Sequence, residues 1–391
     1  MSRRPTALVV TALTLLTTAV LANGNRLAYL DVDDPYYVDR EFPRLTTPQW
    51  LGEKRADAVV ILSIDDMRDV VRYEAFLRPI LDRLKKIDGT APVSIMTCSV
   101  PPDHPHLQTW LAEGLSIDAH TVDHPCPILA KGDFLGAKST YDRCVEMLSA
   151  IPGSEPVAFR TPCCDSLNTP SPRFYAEVFN SRTPAGRHLV IDSSVFNITT
   201  ADDPELPSKL VVDADGREKY RKYAPFVSFV NTVENYPYPW IIGKRCWQLP
   251  CATPSDWQAQ RLHGSNNDIT VRDMQACIDV HVLKKGVFSL VFHPHGWIRN
   301  DQVVQLIDHT VKKHGDKVRF MTFRMAAERL QDHLLAGQSL RTKNGEWNGA
   351  LLADLDADGS LDVLIGNDKL QLTRRWIPEK RAWEDSELPV R

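Results

Sequence analysis

The sequence predicts an α/β fold: a distorted (β/α) barrel of about seven strands, followed by a short C-terminal β segment. Two observations lead there. Strand-like apolar runs alternate with segments of helical periodicity between residues 56 and 336, which implies a parallel sheet with helices outside it. Beyond 345 the pattern changes to short strands around an Asp-rich turn. With about seven strand–helix units a closed or nearly closed barrel is the economical arrangement, and a doubly wound open sheet is the alternative.

The elements follow in order. AVVILSID (58–65) reads as a buried strand and YEAFLRPILDRLKKI (73–87) as a helix. PVSIMTC (92–98) is a strand, HLQTWLAEG a short helix and LSIDAH (115–120) a strand. A helix over 134–151, the strand VAFR (157–160), the helix SPRFYAEVFN and the strand HLVID (188–192) come next. Residues 197–266, rich in Pro, Tyr, Trp and Asn, break the rhythm and read as a long insertion. It resumes with a helix over 270–285, the strand VFSLVFH (287–293), a helix over 301–314, the strand VRFMTF (318–323) and a helix over 324–335. A boundary is expected near 337–345, with the last unit over 345–391.

The 391 residues are 43% hydrophobic and 25% charged, which suits one large α/β domain plus a small addition. A net charge of −4 without like-charge blocks argues against nucleic acid and against a basic membrane-binding face. Arg3 and Arg4 precede an apolar run over 7–21, with Val20 and Ala22 as small residues, so 1–22 is expected to be a secretory signal, or an uncleaved anchor. Residues 23–55 are expected to form an arm around the domain. Export to a secreted, periplasmic or cell-surface location permits disulfides among the eight cysteines. Cys246 with Cys251 is a plausible local pair. Cys163 is open to a bridge with Cys164, Cys126 or Cys144.

Barrel enzymes draw their sites from the C-terminal ends of several strands. Here the strands end in Asp65-Asp66, His120-Thr121-Val122-Asp123-His124, Arg160-Thr161-Pro162, Asp192 and His293-Pro294-His295. Neighbours on a regular strand point to opposite faces, so Asp65 and Asp66 both reach one site only where the strand breaks. Two imidazoles three residues apart, with a carboxylate from another strand, supply an Asp/His/His set that leaves room for water and substrate. That is the form of a catalytic zinc or similar divalent site.

SIDD, HTVDHP, FRTP and a late strand-end histidine together resemble the polysaccharide deacetylase family (carbohydrate esterase family four, the NodB homology domain) over residues 58 to about 330. The resemblance implies a metal-dependent hydrolase that removes N- or O-acetyl groups from a carbohydrate, including cell-wall polysaccharide. Asp65 is then the general base, and Asp66, His120 and His124 hold the metal, Zn2+ first. Arg160 holds the base, the Cys163 amide faces the oxyanion and Asp192 tunes the histidine acid. His293 is the acid by position, with His295 as competitor. Met67 and Cys163 stand where the family has Gly and Tyr, so the rim differs. Hydrolysis of a small non-sugar amide, or a non-catalytic carbohydrate-binding or adhesion role, are the alternatives. Trp297 beside Pro294, with Tyr236, Tyr238, Trp240 and Trp247, forms either a platform for sugar rings or core packing.

In the last segment, Asp354, Asp356, Asp358 and Asp362 alternate around Gly359, a hard-cation pattern suited to Ca2+, or a plain hairpin. With IGN it resembles an FG-GAP/VCBS repeat. Asp213-Ala214-Asp215-Gly216 is a shorter echo, read as a hairpin.

Overall fold

The computed structural model describes residues 38–164, 171–224 and 232–387. The proposed signal segment and the first part of the arm lie outside them, as does the side chain of Cys164. The strands are β1 (Ala58–Met67), β2 (Val93–Thr97), β3 (Ser116–Ala119), β4 (Ala158–Phe159), β5 (Ile191–Asp192), β6 (Phe196–Ile198), β7 (Thr232–Glu234), β8 (Trp240–Ile242), β9 (Cys246–Gln248), β10 (Cys251–Ala252), β11 (Val287–Phe292), β12 (Val318–Phe320), β13 (Ala350–Ala353), β14 (Asp362–Gly366), β15 (Gln371–Ile377) and β16 (Ala382–Ser386). The helices are α1 (Thr47–Leu51), α2 (Val70–Asp88), α3 (Pro105–Glu113), α4 (Phe134–Ser149), α5 (Pro172–Phe174), α6 (Ser208–Val211), α7 (Asp256–His263), α8 (Asp268–Lys284), α9 (Asn300–His314) and α10 (Phe323–Arg329).

Twelve strands form one curled mixed sheet, a distorted barrel, in the order β7-β6-β10-β11-β1-β2-β3-β4-β5-β9-β8, with β12 on the first residues of β1. All its pairings are parallel except β8 with β9. The strand count exceeds the expected seven because residues 197–266 are not an insertion outside the sheet. Their short strands flank it on both sides, β6, β7 and β10 next to β11, β8 and β9 next to β5. Strands of two or three residues carry too little pattern to be read in sequence.

The central strand β1 is buried through residues 58–65 because helices cover both faces. α2 lays Val70, Tyr73, Leu77, Ile80, Leu81 and Leu84 on it, the i, i+3, i+7 stripe of an amphipathic helix. Asp69 caps the start of α2 by accepting the Arg72 amide, and Gly89, at φ 88°, ends it in the left-handed conformation.

The aromatic residues of 236–247 are core. Tyr236, Tyr238, Trp240 and Trp247 are all buried, with Tyr236 packed edge-on to Tyr238 and Trp240. The sugar-platform reading of these four is therefore corrected. The expected Cys246–Cys251 bridge is corrected too. The two residues sit on strands from opposite flanks of the sheet, and their thiols instead face the Trp247 and Ser193 carbonyls. Asp213–Gly216 is a turn closed by the Gly216 amide on the Asp213 carbonyl, as the hairpin reading expects.

The C-terminal segment forms a separate antiparallel sheet ordered β13-β14-β15-β16, with β13 and β14 on either side of the Asp-rich turn. Its inner face (Ala350, Val363, Ile365) joins one apolar cluster with Trp50 of α1, Phe323 of α10 and Val59 of β1. Gln49 on α1 is the polar rivet of this contact. Its side-chain Nε2 donates to the Leu361 carbonyl (2.8 Å), its Oε1 accepts the Thr46 amide, and its backbone carbonyl accepts the Trp383 indole N–H (2.9 Å). Gln49→Ala leaves a buried carbonyl and amide unsatisfied, and is expected to lower stability by about 1–3 kcal/mol, measured by urea unfolding against wild type.

Candidate metal centre

The site begins with a break in β1. Its register with β2 shifts between Ile64 and Met67, and Asp66 takes φ 69°. This kink sends both carboxylates to the same end of the sheet. Thr121 (φ 62°), His124 (φ 55°) and Cys163 (φ 60°) are also left-handed, so the loops after β1, β3 and β4 all hold unfavourable backbone where they meet.

Asp65 points inward and is 1% exposed. Its Oδ1 accepts from Arg160 at 2.6 Å, and its Oδ2 lies 4.0 Å from His120 Nε2. Arg160, wholly buried, also donates to the Ser193 carbonyl (2.8 Å) and Ser193 Oγ (3.0 Å). The Tyr73 hydroxyl donates to the Asp65 carbonyl and fixes the backbone at the break.

Asp66 points toward the opening. Its Oδ1 lies 2.8 Å from His124 Nε2 and 3.2 Å from His120 Nε2, and its Oδ2 lies 3.0 Å from His295 Nε2. Burial pushes this carboxyl up, but the imidazoles of His120, His124 and His295 outweigh burial and hold it far below the usual range. The ligand atoms of Asp66, His120 and His124 lie within 4.8 Å of one another. His120 Nδ1 is 2.8 Å from the Arg160 carbonyl, which only accepts, so Nδ1 carries hydrogen and Nε2 is the nitrogen turned to Asp66 and available to a metal. Asp66 Oδ1 is buried without a well-directed donor among the described residues. The donor set therefore fits a divalent transition metal held by one oxygen and two nitrogens.

His293 is braced differently. Asp256 accepts both the His293 backbone amide (2.7 Å) and Nδ1 (2.8 Å), while Nε2 turns toward the cluster, 3.8 Å from Asp66 Oδ2. Burial lowers this imidazole, but Asp256 prevails, with Asp65 and Asp66 adding to it, and raises it to about 9. His295 stacks on His293 with ring centroids 5.3 Å apart, and half-buried Trp297 stands 4.9 Å from both.

Asp192 does not bond the late histidine as expected. It accepts from the Tyr175 hydroxyl (2.6 Å) and from Ser194 Oγ, whose oxygen in turn accepts the Thr161 amide at 2.9 Å. It thus braces the loop carrying Arg160, because β5 lies beside β4 and not beside β11. The residue on His293 is Asp256, which sequence reasoning missed. It opens α7 just after β10, and β10 pairs with β11 at Cys251 and Ser289. The strand-end test applies to it too, but β10 has only two residues.

A disulfide joins Cys126 to Cys163, resolving the open alternatives for Cys163, and ties the loop of His124 to the loop of Arg160. In the C-terminal sheet the oxygens of Asp354, Asp356 and Asp362 converge within 4.8 Å, and Asp358 stands apart. Asp354 accepts the Asp358 and Gly359 amides, Asp358 that of Ser360, and Asp362 those of Leu355 and Trp376.

No family model matches the chain, and no curated protein matches it. Solved structures that it resembles include a Mycobacterium smegmatis protein designated a polysaccharide deacetylase (14% identity, TM-score 0.44, 74% of this chain and 94% of that one). Others are the family 4 carbohydrate esterase of Streptomyces lividans (11%, 0.37, 68% and 91%) and the peptidoglycan deacetylase PdaC of Bacillus subtilis (15%, 0.35, 70% and 92%).

Arg160→Met strands Asp65 as a buried, unpaired carboxylate. The expected cost is about 3–5 kcal/mol, read from urea unfolding at neutral pH, with most of it recovered in the double variant Arg160→Met/Asp65→Leu.

Proposed function

We propose that the chain is a metal-dependent hydrolase that removes an N- or O-linked acyl group, acetyl above all, from a carbohydrate. The observation that carries this reading is the pair of adjacent aspartates with divided surroundings. Asp65 is fixed through one oxygen by Arg160, while Asp66 meets two imidazoles at the opening. The motif resemblance assigns them base and ligand.

Asp66, His120 and His124 would hold the ion, Zn2+ first. When bound, it supplies Lewis acidity to the attacking water and the acyl carbonyl. Asp65 takes the proton of that water on Oδ2, the oxygen not engaged by Arg160. Arg160 keeps the carboxylate oriented, and its bonds to Ser193 keep Arg160 in place. The Cys163 amide faces the developing oxyanion. His293 gives its Nε2 proton to the leaving nitrogen or oxygen, with Nδ1 anchored on Asp256. His295, bonded to Asp66, is assigned to orienting that carboxylate and not to the acid role. Trp297, half-buried against both histidines, offers a face for a sugar ring.

A small non-sugar amide is the second reading. It is favoured by the rim, where Met67 and the bridged Cys163 replace the family's Gly and Tyr. The disulfide supports an oxidising, extracytoplasmic location, and no helix among the described residues is long and apolar enough to cross a membrane. At the Asp-rich turn, convergence of Asp354, Asp356 and Asp362 favours Ca2+, but the backbone amides on these carboxylates account for the turn, and the self-capped hairpin is the reading adopted. The FG-GAP/VCBS resemblance has no family match behind it.

Asp65→Asn is expected to lower kcat by about 10²–10⁴ on acetylated chitin, peptidoglycan or xylan fragments, in protein that still folds at the assay temperature by circular dichroism. Acetate release falls to background on chelation and returns with Zn2+. Wild-type turnover in Asp65→Asn counts against the base assignment. The acid form of His293 persists below its raised value and is lost above it, so activity falls on the alkaline side, with the limb displaced toward about 9. Asp256→Asn removes the main raising charge and is expected to shift that limb down toward the ordinary histidine range, read from kcat/KM against pH.

A further inference from the structure

A second cluster of imidazoles on a carboxylate lies outside every motif used above. Asp279 of α8 is buried between the helices, and its Oδ1 stands 2.9 Å from His309 Nε2 and 2.7 Å from His314 Nε2, both of α9. The three ligand atoms lie within 4.8 Å of one another. This repeats the arrangement at Asp66, where two Nε2 atoms also meet one carboxylate oxygen.

We propose that Asp279, His309 and His314 form a separate binding site for a divalent transition metal, which clips α8 to α9. Metal–nitrogen bonds of about 2.0–2.1 Å in a tetrahedral site place ligand atoms roughly 3.3 Å apart. Opening the present contacts by about half an ångström thus admits an ion, without moving either helix. Two imidazoles and one carboxylate oxygen select Zn2+, Cu2+ or Ni2+ over Ca2+ and Mg2+, which prefer all-oxygen shells. Each ring surrenders its Nε2 hydrogen as the metal takes the lone pair, moving it to Nδ1 or to solvent.

Lys313 does not compete for the same atom. Its ammonium bonds Oδ2 at 2.6 Å, leaving Oδ1 to the rings, and it is half exposed, free to turn outward. His309 and His314 are 20% and 11% exposed, which leaves one open side for entering metal and its remaining water ligands.

The topology separates this site from the first. α8 ends at Lys284, just before β11 begins at Val287, and α9 ends at His314, just before β12 begins at Val318. The cluster therefore lies toward the N-terminal ends of the strands, whereas Asp66, His120 and His293 sit at the C-terminal ends. A metal here cannot share ligands with the proposed hydrolytic centre and acts on the structure, by joining two helices that cover the sheet.

The test titrates the metal-stripped full chain with Zn2+ alone, measuring bound equivalents by dialysis and metal analysis, together with the thermal midpoint. His120→Ala/His124→Ala is expected to keep one equivalent and a Zn2+-dependent rise in Tm. His309→Gln/His314→Gln, at two partly exposed positions, is expected to lose one equivalent and the part of the rise that His120→Ala/His124→Ala keeps. Lys313→Gln, which spares all three ligands, retains both. If His309→Gln/His314→Gln binds as much Zn2+ as wild type, the cluster is only a hydrogen-bonded carboxylate and the proposal falls, whatever becomes of the hydrolytic reading. If wild type binds one equivalent and loses it in His120→Ala/His124→Ala, the proposal falls and the hydrolytic centre stands.

Discussion

The buried ion pair between Asp65 and Arg160 is the constraint around which the site is arranged. Two charges withdrawn from water cost more than their attraction returns unless every remaining donor is satisfied. Arg160 meets that condition through Ser193, whose carbonyl and hydroxyl both accept from it. The pair joins the ends of β1 and β4, two strands that are not neighbours in the sheet, and so fixes the width of the pocket between them. The kink in β1 follows. With Asp65 drawn inward, the left-handed turn at Asp66 sends the next carboxylate to the opening, among the histidines.

Each remaining group is held by a partner whose own position is fixed. The Arg160 carbonyl sets the His120 tautomer, so the residue that fixes the base also aims a ligand. Asp192, through Ser194, holds the amide of Thr161 and thereby the loop of Arg160. The disulfide links that loop to the one bearing His124. Asp256 holds His293 from a different element, which separates the acid's surroundings from those of the base. A carboxylate held against an arginine and an imidazole raised by a carboxylate are the opposed environments that divide base from acid.

Much of this was legible in the sequence. The α/β class and most long helices follow from periodicity, and the strand-end test found Asp65, Asp66, His120, His124, Arg160 and His293, which the structure brings together. It also required a break in β1, where the register shift occurs. What escaped it has a common cause. Strands β5 to β10 have two or three residues each, too few for a period, so the region 197–266 looked like an insertion although it flanks the sheet on both sides. Asp256 was lost with β10, and the family resemblance placed the histidine-tuning role on Asp192 at the end of β5. The four aromatics of that region were open between platform and core because composition does not reveal which face is covered. Burial decides for core. Asp279, His309 and His314 left no signal, since their convergence depends on how two helices pack.

The most direct test is diffraction from crystals soaked in Zn2+, recorded on both sides of the zinc absorption edge. The expected result is an anomalous peak bonded to Asp66, His120 and His124, with Asp65 still on Arg160 and clear of the ion. A saturated crystal with no peak at these three residues, or with Asp65 drawn off Arg160 to become a ligand, would contradict the division of labour between the two aspartates.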